Sequence, residues 1–430
     1  MKLFGDLLTV SRNVPAGFKK IKETRGDRAS MAFGPVPALL FSDPADVKKI
    51  MTAPEPAVTK SQYSKMLGLV FGDSIISAEG EEWERQHDYL IEHFHPRNVP
   101  YWTKIIVNAA DKWLTDMSQA GDTFAAEENS RLLIQDIMGE LLFGDLINAD
   151  ERRKALGDLQ TVNDELFGQF IRNTILRGPL RALPTPGKLR VDKANRDFTK
   201  MVFTLLEGAI PSDHPSITAK LLALKPALPK KEIRDQLSIL YFAGQDTTAR
   251  ALSWTYLLLS QNPEQQEIIA KEGQRCDFND ESFSVKSLPK TYNVVQESLR
   301  LYPPAHALDR QLNEGDFLNG VEIDKPRLSP ICVTNLHSDE RHWDNPTNFD
   351  PERFSPQRSK NRATCAYMPF GHGKRLCIGK PLALLELTII VAMTCRRYQI
   401  SCLNEETVKP KAAVSLGPSP DIVCRFERRA

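Results

Sequence analysis

The sequence predicts a mainly α fold with small β-sheets, an α+β class in which helices carry most of the core. Three observations predict it. Apolar residues recur at helical spacing over 231–259 (Ile233, Leu237, Leu240, Tyr241, Leu252, Tyr256) and over 380–398 (Leu382, Leu385, Ile389, Met393). The segment 101–225 is helical by the same criterion, with Pro-rich breaks such as Pro179, Pro184 and Pro186. Strand signals are short: 29–33 and 38–42, separated by Gly34-Pro35-Val36-Pro37, then 305–310 and 421–426.

Bulk properties exclude several classes. The 430 residues can bury a substantial core. Fifty-six basic against 55 acidic residues leave a net charge of +1, which argues against bulk nucleic-acid binding. The seven cysteines (Cys276, Cys332, Cys365, Cys377, Cys395, Cys402, Cys424) are odd in number and form no CxxC pair. That argues against a disulfide framework and against a zinc site, and points to a reducing, cytoplasmic home. The start, Met1-Lys2-Leu3-Phe4-Gly5-Asp6-Leu7-Leu8, is broken early by charge. It offers neither a signal-peptide core nor the roughly 18 apolar residues of a membrane span, so no transmembrane anchor is expected.

In chain order, Asp43-Pro44 opens a short helix through Ile50. Residues 61–80 are apolar without a clean period, and Gly68 and Gly72 mark a loop. Trp83 and His87 stand one helical turn apart and can face the same way. Within the helix at 231–259, Ala243-Gly244-Gln245-Asp246-Thr247-Thr248 puts a Gly, an acid and two hydroxyls in mid-helix. Gly costs about 1 kcal/mol there relative to Ala, and Asp and Thr are poor helix formers. A local rule broken in a long helix is expected at functional sites; a Thr bonding back to the preceding turn is the bland alternative. Glu297 and Arg300 form an (i, i+3) pair ahead of Pro303-Pro304, by itself a surface salt bridge worth little. Val414 to Pro418 reads as a hairpin tip.

The chemistry concentrates in Phe370-Gly371-His372-Gly373-Lys374-Arg375-Leu376-Cys377-Ile378-Gly379. Pro381 suits a first helical turn, so Cys377 lies just before a helix N-terminus, where amides and the dipole favour a thiolate. Gly373 and Gly379 leave room for a flat ligand or an opposing backbone. Arg375 is a permanent cation suited to a carboxylate. A thiolate held this way is what a heme iron needs as axial ligand.

The pattern Phe370-x-x-Gly373-x-Arg375-x-Cys377-x-Gly379 resembles the heme-binding loop of the cytochrome P-450 superfamily. The resemblance extends to Ala243-Gly244-x-Asp246-Thr247-Thr248, to Glu297-x-x-Arg300, to Pro351-Glu352-Arg353-Phe354 and to the start of a helix at Gly80–His87. It implies a single triangular prism-like heme domain over 1–430, soluble and bacterial-type, holding heme b with Cys377 as the iron ligand. Phe370, Gly373, Gly379, Ala243 and Gly244 would line the cofactor. Arg375, Arg310, Trp83 and His87 would reach its propionates, although the family more often has Arg where His87 stands. Asp246 and Thr247 would relay protons to bound O2. Glu297, Arg300 and Arg353 would form a structural charge network, and His337 and His372 would not bind metal. Residues 61–80 would cover the substrate, with Met66, Leu69 and Phe71 as contacts.

The implied activity is insertion of one oxygen atom of O2 into a lipophilic small molecule. No strand-linked GxGxxG is present, so electrons are expected from a separate partner, a ferredoxin or flavodoxin with its reductase, or a diflavin reductase. A peroxygenase or rearranging heme-thiolate enzyme and a non-catalytic heme sensor are the alternatives.

Overall fold

The computed structural model describes residues 6, 9–10, 13–33, 36–61, 64–65, 67–119, 123–175, 183–208, 210–211, 213–280, 282–318 and 321–429, apart from the side chains of 118–119, 149, 163, 167–175, 316–318 and 321. The principal helices are α1 (Val14–Arg25), α2 (Pro44–Thr52), α3 (Gly80–Ile91), α4 (Val99–Gln119), α5 (Ala126–Phe143) and α6 (Ala149–Ile175). They continue with α7 (Pro186–Leu205), α8 (Lys230–Ser260), α9 (Pro263–Arg275), α10 (Pro289–Leu301) and α11 (Lys380–Arg397). Their starts follow local chemistry. Asp43 caps α2 by accepting from the amides of Ala45 and Asp46, and Thr185 caps α7 through the amide of Lys188. Proline occupies the first turn of α2, α7, α9, α10 and α11, where its missing N–H is not needed.

The strands are β1 (Arg28–Phe33), β2 (Val36–Phe41), β3 (Val58–Thr59), β4 (Phe124–Ala125), β5 (Ala307–Leu312) and β6 (Gly315–Leu318). The remainder are β7 (Val321–Ile323), β8 (Arg327–Cys332), β9 (Tyr398–Cys402), β10 (Lys409–Ala412), β11 (Leu416–Ser419) and β12 (Val423–Arg428). A five-stranded sheet has the order β1-β2-β8-β5-β3, a three-stranded one the order β4-β12-β9, and β6-β7 and β10-β11 are two-stranded. In the large sheet β2 and β8 run parallel with Phe41 opposite Ile331, while β5 runs antiparallel to β8 with Arg310 opposite Ser329.

The chain divides into two compact units, Met1–Ser61 with Val99–Arg131 and Thr247–Ala430, and Gln62–Asn98 with Leu132–Asp246. All the described strands belong to the first unit. Its sheet packs Leu39, Phe41, Val47, Ile50, Ile331 and Met368 into one apolar cluster, which joins α2 to the segment just ahead of Cys377. The second unit packs Phe71, Val162, Leu166, Ala194, Ile239 and Phe242 together.

Helix α11 is buried on every side from Leu384 to Cys395, the pattern of a helix central to its unit. One of these residues is an acid. Glu386 is fully buried, its Oε1 has no hydrogen-bond partner among the described residues, and burial pushes its carboxyl up to about 8. A carboxyl neutral in the fold and ionised when unfolded contributes no penalty at pH 4, and an increasing one as pH rises through 4.5 towards 8. Glu386→Gln is therefore expected to raise the thermal midpoint at pH 8 and to leave it nearly unchanged at pH 4, as read by circular dichroism melts at the two pH values.

Candidate functional site

The Cys377 loop is shaped by its own backbone. The Cys377 amide donates to the Phe370 carbonyl at 3.0 Å, and the Leu376 amide closes a tight turn on Gly373 at 3.1 Å. Gly373 has φ +73°, and a Cβ there would lie 2.1 Å from the carbonyl oxygen of Met51. Of the two roles open to this glycine, close approach to an opposing backbone is the one observed. Gly379 is less constrained: its Cβ would meet only the Cys377 sulfur, at 3.9 Å. Helix α11 begins directly after it, and Lys380 Nζ lies over the Phe370 ring at 6.0 Å.

Cys377 is exposed to solvent, yet burial among the surrounding protein pushes its thiol up. The two facts agree for a sulfur deep in the protein but reachable from outside. Amides of Gly379 and Lys380 and the Lys380 charge act in the opposite direction. The amides thus favour the thiolate, as their place before the helix implies, and burial outweighs them in the protein alone. A cation bound to the sulfur would reverse the balance, since metal coordination deprotonates a thiol outright.

Two cations accompany the loop. Arg375 Nη2 donates to Glu55 Oε1 at 2.9 Å, a partner the sequence did not suggest. Arg310, on β5, donates to the carbonyl of Asp309 at 2.8 Å and has no carboxylate in ion-pair reach among the described residues. Desolvation depresses its basicity, the neighbouring Asp309 charge works against that, and the nearby Arg375 charge adds to it. A half-buried guanidinium without an ion-paired carboxylate suits an anionic ligand group. A soft sulfur donor with a half-buried cation outside any described ion pair in the same unit fits a porphyrin iron and its carboxylates.

In α8 the predicted motif sits in mid-helix, as the spacing requires. Tyr241, Phe242, Gln245, Asp246 and Thr248 are buried, whereas Ala243 is exposed and Gly244 and Thr247 are half-buried. A Cβ on Gly244 would meet the end of the Met138 side chain at 2.9 Å. Small residues thus line the one accessible stripe of this stretch, with Thr247 one turn after Ala243. Gln245, which sequence reasoning passed over, is fully buried with neither amide atom bonded. In α3, Trp83 is buried and its ring stacks at 4.7 Å on His87, so the two do share a face. Arg85 turns away to Glu82 and Glu232, at 2.7 and 2.8 Å. Of the expected cover residues, Phe71 is core, stacked on Phe242 at 4.6 Å, and Leu69 is exposed; Met66 lies outside the described residues.

The sequence matches the family profile "Cytochrome P450" over residues 1–425. The chain belongs to the cytochrome P450 family.

Its relatives include cyclooctat-9-en-7-ol 5-monooxygenase of Streptomyces melanosporofaciens, 27% identical, with 93% of this chain and 87% of that protein covered. Another is the chloroplastic protein LUTEIN DEFICIENT 5 of Arabidopsis thaliana, 28% identical over 87% of this chain and 67% of that one. The retinoic acid-bound cyanobacterial CYP120A1 superposes with a TM-score of 0.85 at 20% identity, covering 98% of this chain and 96% of the other, and so shares the fold. The protein is a heme-thiolate monooxygenase that uses O2, a redox partner and lipophilic substrates. No described helix is long and apolar enough to cross a membrane.

The P450 loop rests on a buried charge network. Arg300 grips Glu297 with two bonds of 2.7 Å, and Arg353 reaches Glu297 Oε1 at 3.2 Å. The remaining Arg300 donors go to the carbonyls of His337, Pro346 and Asn348. His337 Nε2 accepts from the Met368 amide at 2.9 Å and Nδ1 faces the Arg300 carbonyl at 3.1 Å, a fully bonded neutral ring. His337 is structural, as the sequence suggested. Removing Glu297 would leave the Arg300 guanidinium buried without its carboxylate and Arg353 with Asp350 alone, at 3.9 Å, and breaking such a pair costs about 3–5 kcal/mol. Glu297→Ala is expected to lose stability on that scale in urea unfolding, and Arg300→Lys to lose a large part of it because the two-pronged grip disappears.

Proposed function

We propose that this monooxygenase holds heme b on Cys377 and hydroxylates or epoxidises a lipophilic small molecule in the cytoplasm. Electrons would come from a separate ferredoxin or flavodoxin with its reductase, or from a diflavin reductase, and residues 1–430 act as one heme domain. The observation that carries the reading is the Cys377 loop, a deep but reachable sulfur in the same unit as a half-buried Arg310 without an ion-paired carboxylate among the described residues. Bound there, the heme supplies dioxygen activation, which thiolate donation from the axial ligand favours.

The chain's own residues supply binding, positioning and protons. Cys377 ligates, while Phe370, Gly373 and Gly379 shape the loop around the sulfur. Arg310, Arg375, Trp83 and His87 bind the carboxylates of the cofactor. Ala243 and Gly244 keep the α8 surface low, which is supported by their accessibility in an otherwise buried stretch. Thr247 holds a proton on its hydroxyl at the accessible stripe, and Asp246, buried beside it, resupplies that proton. The peroxygenase alternative is not favoured, because the acid and the alcohol are both in place.

Proton delivery by a positioned side chain contributes roughly 10²–10⁴-fold. Thr247→Ala is therefore expected to keep consuming NADPH with its reductase while product per NADPH falls at least about tenfold and released peroxide rises. Unchanged coupling would remove Thr247 from the relay. Lys374 is exposed on the same loop, where an acidic electron donor would dock. Lys374→Glu is expected to slow the first reduction in stopped-flow measurements and to flatten its salt dependence; identical rates at all ionic strengths would remove the residue from docking.

A further inference from the structure

Two of the seven cysteines face each other at the C-terminal sheet. Cys402 on β9 and Cys424 on β12 are directly paired across antiparallel strands, and their sulfurs lie 3.2 Å apart. Both are buried, Cys424 completely and Cys402 with 9% of its surface exposed. The Cys402 amide donates sideways to Ser260 Oγ at 2.7 Å, whereas the neighbouring Leu403 amide bonds across the ladder to the Val423 carbonyl at 2.8 Å. Cys402 and Cys424 therefore occupy a non-hydrogen-bonded pair site. There facing Cα atoms stand about 4.5 Å apart, inside the roughly 4.4–6.8 Å that a disulfide spans. Joining the sulfurs needs a closure of about 1 Å, within side-chain rotation alone.

The cross-link would act on a defined segment. Between the two cysteines the chain forms the β10–β11 hairpin. Its Ser415 carbonyl accepts from Arg250 Nη1 at 2.8 Å and its Leu416 carbonyl from Trp254 Nε1 at 3.2 Å, so it sits on the part of α8 just after Thr247. The Leu416 amide is held by the Pro304 carbonyl at 2.9 Å.

We propose that Cys402 and Cys424 are an oxidisable pair, closed to a disulfide by a peroxide, and that the disulfide braces the hairpin against α8. The step balances. The Cys402 sulfur, the more accessible of the two, attacks one peroxide oxygen; the O–O bond breaks and the departing hydroxide takes a proton to leave as water. The Cys424 sulfur then attacks the resulting sulfenic sulfur and expels its oxygen, which leaves with the Cys424 proton as a second water. Two thiols lose two electrons in total, and one peroxide gains them. The pairing is independent of the heme reading.

The test uses the heme-loaded wild-type protein treated with a small excess of hydrogen peroxide, alkylated after denaturation, digested without reductant and mapped by mass spectrometry. The expected result is a peptide joining Cys402 to Cys424, lighter than its parts by two thiol hydrogens and separated by dithiothreitol. The thermal midpoint rises on oxidation, and this rise is absent in Cys402→Ser and Cys424→Ser. Recovery of both residues as alkylated thiols while Cys276 is oxidised overturns the pairing. A linked pair with an unchanged midpoint overturns the brace.

Discussion

The buried carboxylate of Glu297 is the interaction on which the proximal architecture depends. It compensates two guanidinium groups that water would otherwise have to solvate, and it also accepts the Asp350 amide at 3.0 Å. Because Arg300 spends its other donors on three carbonyls, one ion pair fixes α10, the His337 segment and the 345–353 turn together. His337 passes that order to the Met368 amide, two residues before Phe370, whose carbonyl receives the Cys377 amide. A charge that is costly to bury thus holds the backbone to which the functional sulfur is attached.

The loop is confined on its other side by packing. Gly373 lets the turn lie against the Met51 carbonyl at the end of α2, and Met51 and Met368 belong to the same apolar cluster. Within this rigid frame the charges are arranged for a guest. Arg375 has Glu55, but Arg310 is half-buried without an ion-paired carboxylate among the described residues, and the Cys377 thiol is pushed up by burial. Each of these is unfavourable in the protein alone, and each is relieved by a cofactor that brings a metal cation to the sulfur and carboxylates to the guanidinium.

What the sequence revealed was what local patterns encode. Helical spacing placed 231–259 and 380–398 within one residue of α8 and α11, because apolar recurrence and first-turn prolines are properties of adjacent residues. Strands 29–33 and 38–42 appeared, shifted by one or two residues, as β1 and β2. The two-residue strands β3 and β4 carry no period and were not legible, and the hairpin tip was placed partly on what is strand β11. In the site, the residues of the Cys377 loop and the α8 motif could be read because spacing alone carries them. Glu55, the buried Gln245 and the facing of Cys402 and Cys424 could not, since each depends on contacts between segments distant in sequence or on burial that the motif does not encode. Phe71 shows the limit of composition: an aromatic in a glycine-flanked loop suggests a substrate contact, but it is buried and packs on Phe242.

Whether Cys377 is the iron ligand is read from the absorption spectrum of the dithionite-reduced protein under carbon monoxide. With a thiolate on the iron, the Soret band is strongly red-shifted from that of a histidine-ligated heme, and the shift is lost in Cys377→His. A wild-type spectrum with a histidine-type band, or with no heme bound, would contradict the assignment of Cys377 and the monooxygenase chemistry built on it.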